Sequence, residues 1–377
     1  MSRRLASRRL ASKRLTSGRL TSGRLTSRRL ASRRLASRRL AGGRALLLGL
    51  IGSAVLLLAA VAASVTLGVR SFGLGDVWLA YSGFDGSSEH LIITTSRVPR
   101  ALLAAAVGAS LAVAGAVMQT LTRNELASPS VLGINAGAAL AIVTALTLVG
   151  SSLAMDRLIW IALGGAAAAA ALVYVLGLSA GSRLDPVRLT LAGATIAAFA
   201  ASLTMGMILP SNRPLDDALF WMLGSISGRK LEHLEQVLPY MALGWLLAGA
   251  IAASLNVLLL GEDNAKGLGM RLRLVQGTAA AAVVLLAGSS VAAAGPIVFV
   301  GLIVPHLCRA ITGTDHRWLL PWCAVIGALL LVSADVLSRF VLTSAEVPVG
   351  VVTALIGVPF LIHIARRGAH AHPSQLG

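Results

Sequence analysis

Between residues 45 and 365 the chain is a succession of apolar runs almost free of charge. Their approximate limits are 45–69, 101–122, 126–155, 158–182, 189–212, 236–261, 274–294, 296–308, 318–334 and 347–365. A helix of about 20 apolar residues crosses the hydrocarbon core of a bilayer. In lipid a helix also satisfies its own backbone donors and acceptors. The runs therefore predict an all-α polytopic membrane protein with about ten transmembrane helices. With 56% hydrophobic and 13% charged residues, a soluble globular class is excluded. Run 296–308 is short. Joined to its predecessor it would make a helix of about 35 residues, too long to stand straight in a membrane, so Gly295-Pro296 predicts a break. The stretch 218–228, ALFWMLGSISG, is too short to span. An interfacial or re-entrant helix is expected there, with Trp221 at headgroup depth. Stretches such as GGAAAAAALVY and AAAAVVLLAGSSVAAAG supply small residues that let helices approach closely.

Charge divides the chain. Residues 1–44 hold 15 of the 33 basic residues and no acidic one, whereas the other 333 residues carry 18 basic against 15 acidic groups. The tail repeats a five-residue unit, as in LASRRLASKRLTSGRL. A step of five advances about 140° around a helix, so its leucines spiral and form no stripe. On a strand they alternate faces. Residues 1–44 are therefore expected to be a disordered Arg-rich tail. Its partner by charge is an anionic lipid surface. Nucleic acid is disfavoured, because no aromatic residue offers a stacking platform. The remaining expectations are one ten-helix transmembrane domain at 45–367 and a short C-terminal tail at 368–377. The basic tail places the N-terminus in the cytoplasm, and ten spans return the C-terminus to the same side. The rest of the Lys and Arg divide ten to eight between the two faces, so the tail sets the orientation. Arg97, Arg100 and Arg339 then fall on the outer side, against the usual bias.

Several chemistries are missing. Ionisable residues within the runs are nearly absent, whereas ion-coupled transporters usually carry some at mid-membrane. His306 and His363 have no second ligand at i+3 or i+4, so no metal site is expected. Cys308 and Cys323 sit in or beside apolar runs and read as small buried residues. The three lysines, Lys13, Lys230 and Lys266, belong to no G-x-x-x-x-G-K-[ST] pattern. The chain is therefore not expected to be an enzyme or to bind a cofactor. If transport is active, ATP and Mg are used by a separate subunit.

Five stretches occur in an order and spacing that carry a resemblance. They are SRVPRALLAAAVGASLAVAGAVMQTLTRNELASPSVLGINAGAA (96–139), LNVLLLGEDNAKGLGM (255–270), GPIVFVGLIVPHLCRAITGTDHRWLLP (295–321), ADVLSRF (334–340) and EVPVGVVTALIGVPFLIHIARR (346–367). Together they resemble the permease subunits of the iron–siderophore, haem and vitamin B12 ABC importers, the FecCD family, over about residues 45–367. The resemblance implies the type II ABC importer permease fold, two permease subunits (identical or paralogous) around a central pathway, two cytoplasmic ABC ATPases and an outer substrate-binding protein, in the cytoplasmic membrane. It implies that Arg97, Arg100 and Arg339 meet carboxylates of the binding protein. It places Glu262, Ala265, Gly267, Leu268 and Gly269 in a coupling loop that enters a groove of the ATPase. Arg123, Asn124, Pro129 and Gly133 fit the family pattern of the loop near the inner gate. Glu125 stands where the family usually has proline, which leaves that loop's shape open. The expected cargo is ferric siderophore, with vitamin B12 or haem as the alternative within the family. The alternative of another class is an ion-coupled secondary transporter.

Overall fold

The computed structural model describes residues 42–370 except 69, 150–152, 154, 179–184, 210–221 and 342–345. The repeat tail and Trp221 lie outside the described residues, as do residues 218–220 of the expected helix at 218–228. Of its remainder only Met222 is helical, and residues 223–228 run as turns and irregular chain, so the expected helix does not continue through them. Residues 42–52 are described only as the opening of the first helix.

Ten helices answer the ten runs. They are α1 (Gly42–Thr66), α4 (Val98–Thr122), α5 (Ile134–Val149), α6 (Met155–Gly177), α7 (Pro186–Ile208), α8 (Leu231–Ala250), α11 (Leu272–Ala294), α12 (Val300–Thr312), α13 (His316–Ser338) and α14 (Val349–His370). Among the described residues four short α-helices lie between them: α2 (Leu74–Ser82), α3 (Ser88–Ile92), α9 (Ala252–Leu258) and α10 (Glu262–Gly267). Among the described residues six helical stretches are long and apolar enough to cross a membrane unaided, and the bent pair α8–α9 makes a seventh. The apolar helices α5, α12 and the first part of α14 are shorter. At 1.5 Å per residue α12 is roughly 20 Å long. Such a segment is tolerated at membrane depth where protein surrounds it, and α12 buries seven of its 13 residues.

Three local features depart from simple rods. α3 runs into α4 through a π-helical turn at Ile93–Arg97, making one helical stretch of 35 residues from Ser88 to Thr122. The expected span 101–122 is thus the C-terminal part of a longer helix. α11 ends at Gly295, whose φ of 73° leaves the helical region, and Pro296 follows, so the expected break is present. α8 and α9 meet at 53° about Ile251. The bend brings Asn256 of α9 to the start of α13. There its amide donates to Asp315 Oδ1 at 2.6 Å and its carbonyl accepts from the His316 backbone N–H at 2.8 Å.

α4 is the hub. It packs on α13, α11, α12 and α8, and 20 of its 25 residues are buried. Close approach requires glycine at two crossings. A Cβ on Gly115 would overlap the carbonyl of Gly301 in α12, and one on Gly108 would overlap that of Gly327 in α13. Helices in lipid associate through such contacts, because no hydrophobic drive exists between them. Cys308 and Cys323 are both buried thiols.

Candidate functional site

At one end of the bundle four charges form a closed network. Arg100 Nε donates to Asp335 Oδ1 at 2.8 Å, and its Nη1 donates to Glu346 Oε2 at 2.7 Å. Arg339 Nη2 donates to the second oxygen of Asp335 at 2.6 Å. Ser227 Oγ donates to Glu346 Oε2 at 2.6 Å. Asp335 has no exposed surface, and Arg100 and Arg339 are 7% and 9% exposed. Two guanidiniums and two carboxylates balance, which is the condition for charge in such a place. Burial raises the affinity of the Glu346 carboxyl for its proton. The Ser227 hydroxyl and the Arg100 guanidinium outweigh that effect and leave its pKa below the ordinary glutamate value.

The same end shows why arginines collect there. α1 finishes at Thr66, and a helix leaves its last carbonyls without intrahelical donors. Arg339 Nη1 donates to Ser64 O at 2.6 Å and to Leu67 O at 3.1 Å. Arg97 donates to Leu67 O, to Val65 O at 3.3 Å and to Arg70 O at 2.8 Å, and stacks over Phe72 at 5.3 Å. Both cations also complement the negative end of the α1 dipole. All three arginines expected to meet a partner thus spend donors inside the chain. Arg97 is the half-buried one, whereas Arg100 and Arg339 are buried. Asp335, Glu346, Ser64 and Ser227 had been given no role from sequence. A signal existed for Asp335, since an acid within an apolar run asks for a partner.

The other end carries the polar loops. Arg123 ends α4 in the left-handed region, with φ of 52°. Asn124 then folds the chain: its Oδ1 accepts from Leu126 N–H at 2.9 Å and its carbonyl from Ala127 N–H at 3.1 Å. This Asx-type turn needs no proline, and Glu125 stands exposed within it. Pro129 opens a 3-10 turn at Pro129–Leu132, and Gly133 closes it with φ of 70°. In the loop before α11, Gly261 takes φ of 101° and α10 follows. Gly269 takes φ of 79°. Its N–H bonds Lys266 O at 2.9 Å and Met270 N–H bonds Ala265 O at 3.0 Å, a Schellman ending. Ala265 is fully buried, while Leu268 is 68% exposed. Gly267 lies within α10 with open space around it.

The structure brings these two loops together. Arg123 Nη2 lies 3.5 Å from Glu262 Oε1, and Gln276 Nε2 of α11 donates to the same oxygen at 3.2 Å. A residue assigned to the gate and one assigned to coupling therefore form one contact.

Fold and loops define a multi-pass helical membrane protein of the transporter type. Residues 56–367 match the FecCD transport family, and the chain belongs to that family. It is 47% identical over 314 residues to a protein described as a probable siderophore transport system permease, YfiZ, of Bacillus subtilis, covering 83% of this chain and 94% of the relative. It is 41% identical over 316 residues to the ferric enterobactin transport system permease FepD of Escherichia coli, covering 84% and 94%. Among solved structures, a metal-chelate type ABC transporter in an inward-facing conformation superposes with a TM-score of 0.75 at 28% identity, covering 84% of this chain and 98% of that one. The fold is thus the type II ABC importer permease fold.

Proposed function

We propose that this chain is the membrane permease subunit of a binding-protein-dependent ABC importer that carries ferric siderophore into the cytoplasm by ATP-driven alternating access. The observation that supports this best is the contact between Arg123 and Glu262, which ties the turn after α4 to the short helix α10. In this reading α10 and the exposed Leu268 sit in a groove of a cytoplasmic ATPase, and ATP binding there moves α10. Glu262 passes that motion to the Arg123 turn and so to α4, the hub of the bundle. The cluster end faces outward, where a substrate-binding protein docks. Arg97 retains surface for a carboxylate of that partner, while Arg100 and Arg339 shape the rim from within. The cargo assignment rests on the siderophore and ferric enterobactin relatives. A pathway between two permease subunits provides the room a chelate needs, and ATP hydrolysis belongs to the ATPases.

Uptake of radiolabelled ferric siderophore by cells lacking this gene, complemented with the wild-type gene, tests the cargo. Restored uptake is expected. Restoration of cobalamin or haem uptake instead would overturn the substrate and leave the transport class standing. The coupling contact is tested by charge reversal. Arg123→Glu and Glu262→Arg are each expected to lower uptake roughly tenfold, within the range usual for coupling between sites, at unchanged expression. The double exchange should restore a substantial part. The pair itself is partly exposed and stabilises the fold by about 1 kcal/mol at most, so a loss of expressed protein is not expected. Unimpaired uptake by both single variants would sink the coupling role.

A further inference from the structure

We infer that the crevice opened by the α8–α9 bend, lined by Trp245 and mouthed by Arg317, is a binding site for a phospholipid with an anionic headgroup. The bend at Ile251 separates the end of α8 from the start of α13 and leaves a cavity of about 380 Å³ between them and α4. Its walls are apolar, with Val113, Ala248, Ala252, Leu320 and Ala324 among the lining residues. Two features argue for an amphiphile and against an empty gap. The crevice lies between membrane-spanning helices, at the end where their polar loops begin, so its neighbour in the bilayer is lipid. Arg317, at the first turn of α13, is exposed, and its guanidinium forms no ion pair among the described residues. The other polar side chain in the lining, His316, is already engaged. Its Nδ1 lies 2.8 Å from Asn256 Oδ1 and its Nε2 lies 2.7 Å from Thr120 Oγ1.

An acyl chain fills the apolar walls, Trp245 among them, and the phosphate meets Arg317. Basic pockets between helices near a membrane surface take anionic headgroups on these terms. Gly249 lines the same crevice, and a side chain there would meet nothing within 4 Å. It is therefore the position at which the crevice can be filled without disturbing the bundle.

The test is native mass spectrometry of the full-length protein, delipidated in detergent and titrated with dioleoyl phosphatidylglycerol or dioleoyl phosphatidylcholine. Wild type should retain phosphatidylglycerol in preference to phosphatidylcholine. Gly249→Leu should lose one bound lipid. Arg317→Ala should weaken phosphatidylglycerol about fivefold, the ratio one basic residue near an anionic surface contributes, and Arg317→Lys should keep it. Arg317 is exposed, so its variants test the site even if Gly249→Leu fails to fold. Equal retention of the two lipids by wild type, or unchanged phosphatidylglycerol binding in Arg317→Ala, would overturn the proposal. Neither readout depends on transport.

Discussion

Asp335→Ala is expected to remove most of the folded protein. Asp335 is the shared partner of Arg100 and Arg339, with one oxygen on each, and has no exposed surface. Its loss leaves two buried guanidiniums with only Glu346 between them. Breaking a buried ion pair by removing one member costs about 3–5 kcal/mol, because the survivor keeps its desolvation penalty. That is a large part of the stability of an ordinary domain. Asp335→Asn should fall nearly as far, since shape alone does not answer a charge. Glu346→Gln should cost much less, because the side chain of Glu346 is 46% exposed and water can replace part of what it gives. Thermal unfolding in detergent, followed by size exclusion, ranks the three. A Glu346→Gln loss equal to that of Asp335→Ala would show that the buried acid is not the keystone.

Gly115→Ala should be among the most damaging single-methyl changes in the bundle. The added carbon would overlap the carbonyl of Gly301, and backbone on both sides leaves no flexible tip to yield. Overpacking of a well-filled core costs about 1–3 kcal/mol, and more where helices must part. Here α4 and α12 would have to part at the hub. Gly206→Ala in α7 is the matched control. Nothing lies within 4 Å of that added carbon, and alanine in a helix interior is favoured over glycine by roughly 0.5–1 kcal/mol. The same assay should show opposite signs for the two substitutions. A neutral Gly115→Ala would mean that the α4–α12 crossing is looser than described.

The spans were legible because burial in lipid demands long apolar helices, and the Gly295-Pro296 break was legible because those residues cannot continue one. The bend at Ile251 was not. No proline marks it, and its cause is the reach of Asn256 to Asp315 and His316, which lie about 60 residues away. The basic residues Arg97, Arg100 and Arg339 were visible, but their partners were not. Asp335 lies 235 residues from Arg100, and the carbonyls at Ser64 and Leu67 carry no sequence signal at all. The loop glycines were only partly separable. Gly261 and Gly269 take backbone angles that residues with a side chain rarely adopt, whereas Gly267 occupies open space. The meeting of Arg123 with Glu262 was likewise invisible, since it joins two motifs each read separately.

The cluster that closes α1 also sets an order of events in time. A growing chain is made from its N-terminus at about 5–20 residues per second. Arg97 can seal the carbonyls of α1 soon after that helix enters the membrane. Arg100 must wait 235 residues for Asp335, roughly 10–50 s at that pace. Throughout that interval a guanidinium destined for burial has to remain hydrated at the surface of the bilayer. The charge network at that end of the bundle therefore closes late in synthesis. A nascent chain halted before Asp335 would still display its uncompensated arginine to the quality-control machinery of the cell.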